Sequence, residues 1–286
     1  MSQFGVAGGA ATFPAMPYAD AESAKIYYEV EGTGPPVTFL MGFGAPMKWW
    51  FPQVPFFSRD HQVVRLDPRG IGGSEETAEK TITMSLLADD VACVLDDAGI
   101  SSSHIVGLSY GGMVAQELAL RHPDRVDRLV LASTNAGGAT AVQPDPELIS
   151  TLLTTLMLDQ PEDSDVLLDA IGPTLFPKSY LDEHRAEVLE LIQGTGFDPA
   201  GAALLARQME AVMGHDILER LGNVSRPTLC LTGTEDVLVP AGNAAILAAR
   251  IPGAQLAQVD EAGHCAHIQL PDAWNQVVHS FLTASR

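Results

Sequence analysis

Apolar runs of strand length recur along the chain and are separated by amphipathic stretches of helical length. Near-continuous apolar runs of this kind are typical of strands that are buried on both faces of a parallel sheet. The predicted strands are Ala24–Val30, Pro36–Met41, Gln62–Leu66, His104–Leu108, Arg128–Ala132, Thr228–Leu231 and Gln255–Val259. The first of these alternates between polar and apolar residues, which predicts an antiparallel strand. The helices predicted around them are Ile82–Ala98, Gly112–His122, Ala241–Arg250 and Pro271–Thr283.

Between residues 139 and 223 this alternation stops, and only helical patterns interrupted by Pro and Gly remain. The helices predicted there are Pro146–Leu158, Ser164–Ile171, Tyr180–Gln193 and Pro199–Met213. Ligands bind at the carboxyl edge of open α/β sheets, so we interpret this block as a helical cap over that edge. The predicted organisation is a lead segment at 1–22, a core at 23–138 and 224–286, and the cap at 139–223. The fold class is α/β, with a mostly parallel, doubly wound sheet and the cap inserted before the last two strands.

The net charge argues against two classes of partner. The chain has 36 acidic and 16 basic residues, a net charge of −20, and no run of Lys or Arg. This charge repels phosphate backbones and anionic membranes, so we expect neither a nucleic acid nor a membrane as partner. We interpret the acidic surface as solubilising, with a cleft that prefers cationic substrates as the alternative. The sequence does not indicate an oligomeric state.

The N-terminal segment and the cysteines indicate a soluble protein of the cytoplasm. The start of the chain lacks the basic residues and apolar centre of a signal peptide. No stretch approaches the roughly 18 apolar residues of a membrane span. Cys93, Cys230 and Cys265 are far apart and show neither disulfide nor metal-ligand spacing. Because phosphate-loop and dinucleotide motifs are also missing, we expect no metal and no cofactor.

A G-x-S-x-G pattern, Gly107-Leu108-Ser109-Tyr110-Gly111, follows one predicted strand and opens a helix. In this context the pattern is typical of a nucleophilic serine that stands on a sharp turn. Side chains two positions before and after the serine would collide with neighbouring backbone, which explains the glycines. The helix N-terminus also favours negative charge near the serine. A buried serine in a glycine-rich turn is the alternative for the pattern taken alone.

Two backbone N–H groups are candidates for an oxyanion hole. Such a hole uses the residue after the nucleophile and a residue in a loop after an earlier strand. Tyr110 supplies the first N–H group, and Phe43 in Met41-Gly42-Phe43-Gly44 supplies the second. The glycines on both sides of Phe43 would allow its amide to turn inward.

The candidate acid and base follow the last two predicted strands. Asp236 follows Thr228–Leu231, and its neighbour Glu235 is the competing carboxylate. His264 follows Gln255–Val259 and completes the chain order Ser, Asp, His. We interpret His267 as a packing or supporting histidine at the start of the last helix.

From Ala24 to the C-terminus these features resemble the α/β-hydrolase superfamily. The segment Asp67–Ser74 is similar to the D-x-R-G-x-G-x-S loop of its smaller capped members. This resemblance implies that Asp67 and Arg69 support the loop beside the nucleophile. The stretch from Gly107 to Thr134 looks like bacterial esterases, enol-lactonases and cofactor-free haloperoxidases alike. Met41 stands where the family's oxyanion loop usually has a histidine, which leaves the subgroup open.

The resemblance implies a serine hydrolase that forms an acyl-enzyme on Ser109. We expect a small, uncharged and moderately hydrophobic ester or lactone as substrate. Carbon–carbon bond hydrolysis and cofactor-free perhydrolase or haloperoxidase chemistry use the same triad and remain alternatives. A ligand receptor on a hydrolase fold is an alternative from another class.

Four large side chains are candidates for the walls of a substrate pocket. Trp49 and Trp50 follow the oxyanion loop, while Met157 and Met209 lie in the predicted cap. Methionines can provide an adaptable apolar lining. Core packing is the alternative for both tryptophans, because large aromatic side chains are usually buried. Packing within the cap is the alternative for the methionines.

Overall fold

The computed structural model describes residues 17–76, 81–156, 163–194 and 201–284. Within these residues one eight-stranded sheet forms, in the order β1-β2-β4-β3-β5-β6-β7-β8. Its strands are β1 (Tyr18–Ala21), β2 (Ala24–Glu31), β3 (Pro36–Leu40), β4 (Gln62–Leu66), β5 (Ser103–Leu108), β6 (Val126–Ala132), β7 (Thr228–Gly233) and β8 (Gln255–Val259). Strand β2 pairs antiparallel with β1 and β4, and all other neighbours pair in parallel.

Helices cover both faces of this sheet. They are α1 (Val54–Phe57), α2 (Met84–Asp97), α3 (Tyr110–Arg121), α4 (Pro146–Thr154), α5 (Ser164–Leu175), α6 (Lys178–Gly194), α7 (Ala202–Met213), α8 (Gly242–Arg250), α9 (Ala266–Gln269) and α10 (Pro271–Thr283). Successive strand residues contribute to two separate hydrophobic clusters, as Ile105 and Val106 of β5 do. One cluster includes side chains of α2, α3 and α8, and the other includes side chains of α1 and α10. The predicted doubly wound α/β class is confirmed.

An additional strand and the start of one helix differ from the sequence predictions. Strand β1 lies within the segment that was expected to be only a lead, and it pairs Tyr18 with Tyr27 of β2. Helix α3 begins at Tyr110, directly after Ser109, rather than at Gly112. The turn between strand and helix is therefore as short as a single residue.

The helical block, residues 139–223, contains α4 to α7 and contributes no strand to the sheet in its described part. Its entry and exit are joined by a bridge between Gly137 and Asp216. Leu205 of α7 approaches Gly44, a residue that follows β3. Near α5, Phe176 packs against Gly263, which follows β8. These contacts lie at the carboxyl edge of the sheet, while the exact domain boundaries remain a prediction. None of the described helices combines the length and the apolar character that crossing a membrane requires.

Candidate active site

Ser109 occupies a strained turn at the end of β5. Its backbone has φ 53° and ψ −116°, a conformation that residues with a side chain rarely adopt. The flanking glycines permit the turn: a Cβ on Gly107 would lie 2.4 Å from the Gly111 carbonyl oxygen. A Cβ on Gly111 would lie 2.2 Å from the carbonyl oxygen of Leu40 in β3. The turn leaves the Ser109 side chain partly exposed at the carboxyl edge of the sheet.

Hydrogen bonds hold this turn from both sides. The Ser109 N–H donates to the Ala132 carbonyl of β6 over 2.8 Å. The Thr134 hydroxyl donates to the Ser109 carbonyl over 2.7 Å, and the N–H of Gly112 donates to the same oxygen over 2.9 Å. Tyr110 is the first residue of α3, so its N–H group has no acceptor inside the helix. This N–H group is thus available beside Ser109.

The loop after β3 lies next to the nucleophile turn. A Cβ on Gly42 would lie 3.7 Å from the Ser109 Cβ. The rings of Phe43 and Tyr110 meet edge to face, with centroids 6.1 Å apart and planes at 79°. The structure therefore brings the two predicted oxyanion residues into contact, next to Ser109.

Two charged residues of the Asp67–Ser74 segment are buried below this loop. The Asp67 carboxylate accepts hydrogen bonds from the N–H groups of Met47, over 2.7 Å, and Gly73, over 2.8 Å. Arg69 forms a buried ion pair with Asp90, in which Nε donates over 2.8 Å. Burial raises the pKa of both carboxyl groups, although these hydrogen bonds act in the opposite direction. Asp67 thereby ties its own segment to the residues that follow the oxyanion loop.

Asp236 and His264 form a buried pair at the ends of β7 and β8. The His264 Nδ1 lies 2.9 Å and 3.1 Å from the two Asp236 carboxylate oxygens. Asp236 Oδ1 also accepts hydrogen bonds from the N–H groups of Leu238 and Val239, over 3.0 and 2.8 Å. Because Nδ1 donates to the carboxylate in the neutral imidazole, Nε2 is left as the acceptor.

The competing carboxylate, Glu235, lies in a different environment. Its side chain is exposed, and its N–H donates to the Ala262 carbonyl over 2.9 Å. A Cβ on Gly233 would lie 2.2 Å from this same Ala262 oxygen, so the two loops are in close contact. The structure therefore pairs His264 with Asp236 and leaves Glu235 outside the pair.

The residues after β6 link the Ser109 turn to the loop that carries His264. The Ser133 hydroxyl donates to the His264 carbonyl over 3.2 Å, while the next residue, Thr134, donates to the Ser109 carbonyl. Strands β5 to β8 are consecutive and parallel, so their carboxyl ends meet at one edge. Ser109, Asp236 and His264 thus follow neighbouring strands at the same sheet edge.

His267 and both tryptophans are buried residues. The His267 ring is fully buried, 4.8 Å from the ring of Trp50, and burial lowers its pKa to about 3. Trp50 also packs against Phe39 and Trp274, with ring centroids 4.9 and 5.8 Å away. Trp49 is 2% exposed and belongs to the same hydrophobic cluster. The pocket interpretation of Trp50 is therefore corrected to core packing, since its ring packs between the sheet and α10. A pocket role for Trp49 stays a prediction.

Of the two methionines of the block that are candidates for the pocket wall, one lies among the described residues. Met157 lies outside the described residues. Met209 is partly buried on α7, beside Gln208. The Gln208 Oε1 accepts a hydrogen bond from the Gly44 N–H over 3.1 Å. Sequence reasoning missed Gln208, because one glutamine in a helical pattern carries no signal for such a contact.

Two other features lie apart from Ser109. A cavity of about 860 Å³ separates α5 and α6 from the loop that carries Glu235 and Val237, and its lining includes neither Ser109 nor His264. Among the described residues, Asp60, His61 and His279 are the group whose donor atoms could hold a metal ion. The Asp60 carboxylate already contacts both histidines, at 2.6 and 2.8 Å, near the amino end of β4.

Comparison with known proteins places this chain in a family. A family model described as the alpha/beta hydrolase fold matches residues 35–178, and one described as TAP-like protein matches residues 194–286. A curated relative from Azorhizobium caulinodans, named "Putative carbamate hydrolase RutD", is 31% identical over 93% of this chain and 98% of its own.

Solved structures agree with this placement. The enol-lactonase from Burkholderia xenovorans LB400 is 29% identical, covers 94% of this chain and 100% of its own, and has a TM-score of 0.81. Est816, described as an N-acyl homoserine lactone degrading enzyme, is 27% identical over 93% of this chain and 100% of its own, with a TM-score of 0.75. By sequence and by structure, the chain belongs to the α/β-hydrolase family.

Proposed function

We propose that this α/β hydrolase is a serine hydrolase that cleaves a carboxylic ester or a lactone through an acyl-enzyme on Ser109. The observation that carries the proposal is the buried Asp236–His264 pair on the sheet edge where the strained turn presents Ser109. A histidine paired with a carboxylate, on the same sheet edge as a partly exposed serine, is the arrangement that activates a hydroxyl group as a nucleophile.

The proposed reaction has two halves. His264 Nε2 takes the proton of the Ser109 hydroxyl as its oxygen attacks the substrate carbonyl. The Phe43 and Tyr110 N–H groups donate to the resulting oxyanion. The imidazolium then gives its proton to the leaving alcohol oxygen, and an acyl-serine remains. Water, deprotonated by His264, then attacks the acyl group, and the imidazolium returns its proton to the departing Ser109 oxygen as the acid is released. Asp236 stabilises the imidazolium in both halves.

Three observations support an uncharged ester or lactone as the substrate. The net charge of −20 disfavours anionic substrates. Apolar side chains surround the oxyanion loop, since Phe43 packs against both hydrophobic clusters and Leu205 approaches Gly44. The similar solved structures include an enol-lactonase and an enzyme that degrades an acyl lactone.

Carbamate hydrolysis is the second candidate. The observation in its favour is the name of the relative from Azorhizobium caulinodans. A carbamate also presents a carbonyl carbon to Ser109, so the same residues would act on it. The carbon–carbon hydrolase and perhydrolase alternatives share these residues too, and a substrate panel separates all of them.

Ser109→Ala tests the proposal. A fluorophosphonate probe should label Ser109, and the alanine variant should lose at least about 10⁴-fold in kcat on p-nitrophenyl acetate and butyrate while remaining folded. The control is Ser102→Ala, whose hydroxyl bonds Asp127 at the other end of β5 and which should keep full activity. Unchanged turnover by folded Ser109→Ala would overturn the assignment. A panel of esters, lactones, carbamates and diketones then identifies the bond that is cleaved.

A further inference from the structure

Two histidines meet one carboxylate at the amino edge of the sheet, opposite the edge that carries Ser109. Asp60 and His61 directly precede β4, and His279 lies near the end of α10. One Asp60 oxygen contacts His61 Nδ1 at 2.6 Å, and the other contacts His279 Nε2 at 2.8 Å. The three ligand atoms lie within 4.8 Å of one another. These three residues are called the Asp–His–His cluster below.

A second aspartate in the molecule shows how this cluster differs from an ordinary surface pair. His122 Nε2 lies 2.6 Å from one oxygen of Asp89, and Arg121 donates to the other oxygen over 2.7 Å. A guanidinium group has no lone pair to offer, so Asp89 has a single partner that can bind a metal. Both partners of Asp60 are imidazoles, and a neutral imidazole is a good ligand for a transition-metal ion.

Aromatic packing holds both imidazole rings of the cluster. Phe57 lies 5.9 Å from His61 and 6.2 Å from His279, and Phe56 meets His279 edge to face at 5.7 Å, all between ring centroids. His61 is only 3% exposed. The Arg59 guanidinium lies 5.8 Å from the centre of the Phe56 ring and forms no ion pair in the described part of the chain. Ligand side chains that are already fixed by packing lose little freedom when an ion binds.

The backbone that carries two of the three ligands is fixed as well. A Cβ on Gly34 would lie 2.2 Å from the Asp60 carbonyl oxygen, and a Cβ on Gly32 would lie 2.5 Å from that of His61. The N–H groups of Asp60 and His61 both donate to the Phe57 carbonyl, over 3.2 and 2.9 Å. The turn before β4 is thus packed closely against the loop after β2, and α10 adds the third ligand to it.

We propose that the Asp–His–His cluster binds a divalent transition-metal ion, for which Zn²⁺ is the probe. Two nitrogens and one carboxylate oxygen suit Zn²⁺, whereas Mg²⁺ and Ca²⁺ take oxygen ligands. Ligand atoms of a tetrahedral Zn²⁺ site are about 3.3 Å apart, given bonds of about 2.0–2.1 Å. The present contacts of 2.6 and 2.8 Å therefore need to open by about 0.5–0.7 Å. Asp60, whose side chain is half exposed, can turn to allow this.

Coordination replaces the two hydrogen bonds of the cluster. His61 Nδ1 and His279 Nε2 give their lone pairs to the ion, so the proton of each neutral ring moves to its other nitrogen. Asp60 supplies one oxygen, and water takes the fourth position. The ion joins α10 to the turn before β4, residues that lie 219 positions apart, which is why no metal motif is visible in the sequence. The role is structural, and it does not rest on the proposed hydrolase function.

Zinc binding by the intact protein tests the inference. Isothermal titration of EDTA-treated protein with zinc chloride should show one ion per chain with a micromolar Kd. Asp60→Asn and His279→Ala should each raise that Kd at least tenfold, because each removes a ligand. At a zinc concentration of 100 times Kd, the Tm of the wild type should rise by about 5 °C, and that of His279→Ala should hardly change. In long-range ¹H–¹⁵N spectra, zinc should shift the ring nitrogens of His61 and His279.

His122→Ala is the matched control, since the His122 side chain is 33% exposed and that of His279 is 31% exposed. It should keep the wild-type Kd. If Asp60→Asn fails to fold, His279→Ala still measures the loss of one ligand. A wild type that binds no zinc, or binds it equally well without the His279 ring, would mean that the cluster is a hydrogen-bonded bridge only. Zinc that shifts the ring nitrogens of His264 instead would lie at the proposed active site, and would also overturn the inference.

Discussion

The loops at the carboxyl edge of the core and the helical block are held in place in different ways. At the edge, backbone meets backbone: the Cβ position of Gly111 lies 2.2 Å from a β3 carbonyl oxygen, and the Arg69–Asp90 pair is buried. In the block, the ion pairs of Arg185 and Lys178 with aspartates are exposed. Gly222, at the end of the block, has open space around its Cβ position.

This difference indicates that the core edge positions the reacting groups, whereas the block influences which substrate binds. Groups that perform chemistry must be placed within tenths of an ångström, and rigid backbone contacts achieve this. The block touches the site through side chains such as Gln208 and Leu205, which substitutions can alter without disturbing the sheet. Changes at the core edge should therefore affect activity or stability strongly, and changes in the block should mainly affect which substrate is used.

The largest expected effect is on kcat, and it distinguishes Asp236 from its neighbour Glu235. Asp236→Asn should lower kcat by up to about 10⁴-fold, because an amide stabilises the wrong tautomer of His264. Glu235→Gln should change kcat by less than about twofold, since exposed polar substitutions are usually mild. Steady-state kinetics on one ester, with circular dichroism to confirm folding, measures both. The reverse order of effects would mean that the acid has been assigned one position too late.

The next comparison is between two arginines. Arg69→Ala should reduce the free energy of unfolding by about 3–5 kcal/mol, because Asp90 would remain buried without its partner. Arg185→Ala removes two exposed ion pairs from the block and should leave the denaturation midpoint almost unchanged. Urea titrations of both variants give the two values. Equal losses would show that the block is held as rigidly as the core edge.

Two glycines allow the same comparison for the backbone. Gly111→Ala should cost about 3 kcal/mol of unfolding free energy, since the added methyl group meets backbone that cannot easily move. Gly222→Ala should be neutral or stabilise by about 0.4–1 kcal/mol, because it restricts the unfolded chain without a clash. Thermal melts distinguish them. A stable Gly111→Ala protein would mean that β3 and α3 can separate at little cost.

The smallest expected effect is the pH dependence of the free energy of unfolding. Burial, reinforced by nearby His264, lowers the pKa of His267 from 6.5 to about 3. Below pH 6.5, His267 binds a proton in the unfolded chain but not in the folded protein. The contribution of the neutral His267 ring to the free energy of unfolding is therefore complete above pH 6.5. It is lost as pH falls toward 3. At pH 5 the loss is about 2 kcal/mol relative to neutral pH.

Substituting His267 should remove that sensitivity. We expect His267→Leu to lose less stability than wild type between pH 7 and pH 5 in urea titrations. His184→Leu, on the surface of α6, should keep nearly the wild-type dependence. An unchanged pH dependence in His267→Leu would show that this ring is hydrated in the folded state.

The core was predictable from sequence because buried strands require continuous apolar runs. Gln62–Leu66, which is largely buried, matches the observed strand at both ends. Gln255–Val259 also matches β8 at both ends, although only Val259 of this edge strand is buried. The chain order of Ser109, Asp236 and His264 also anticipated where these residues lie, whereas their catalytic roles remain a proposal. The sharp turn at Ser109 follows from a local motif of a few residues, whereas the pairing of His264 with Asp236 rather than Glu235 is visible only in the structure.

Other features depend on contacts that no local pattern encodes. Strand β1 is four residues long and includes Asp20, so its pairing rests on backbone hydrogen bonds rather than on an apolar pattern. Trp50 follows the oxyanion loop in sequence, yet the packing of α10 against the sheet decides that it is buried. Gln208 meets a backbone group far away in the chain. Tertiary packing, not propensity, determines each of these outcomes.

The place of the block in the chain has a consequence for biosynthesis. Ser109 and the oxyanion loop precede the block, while Asp236 and His264 follow it, and His264 comes 155 positions after Ser109. At ribosomal speeds this delay corresponds to about 8–30 s. During that interval the nascent polypeptide carries the nucleophile turn without its proposed base. We therefore expect the growing chain to be inert toward esters until translation is nearly finished and β8 has joined the sheet.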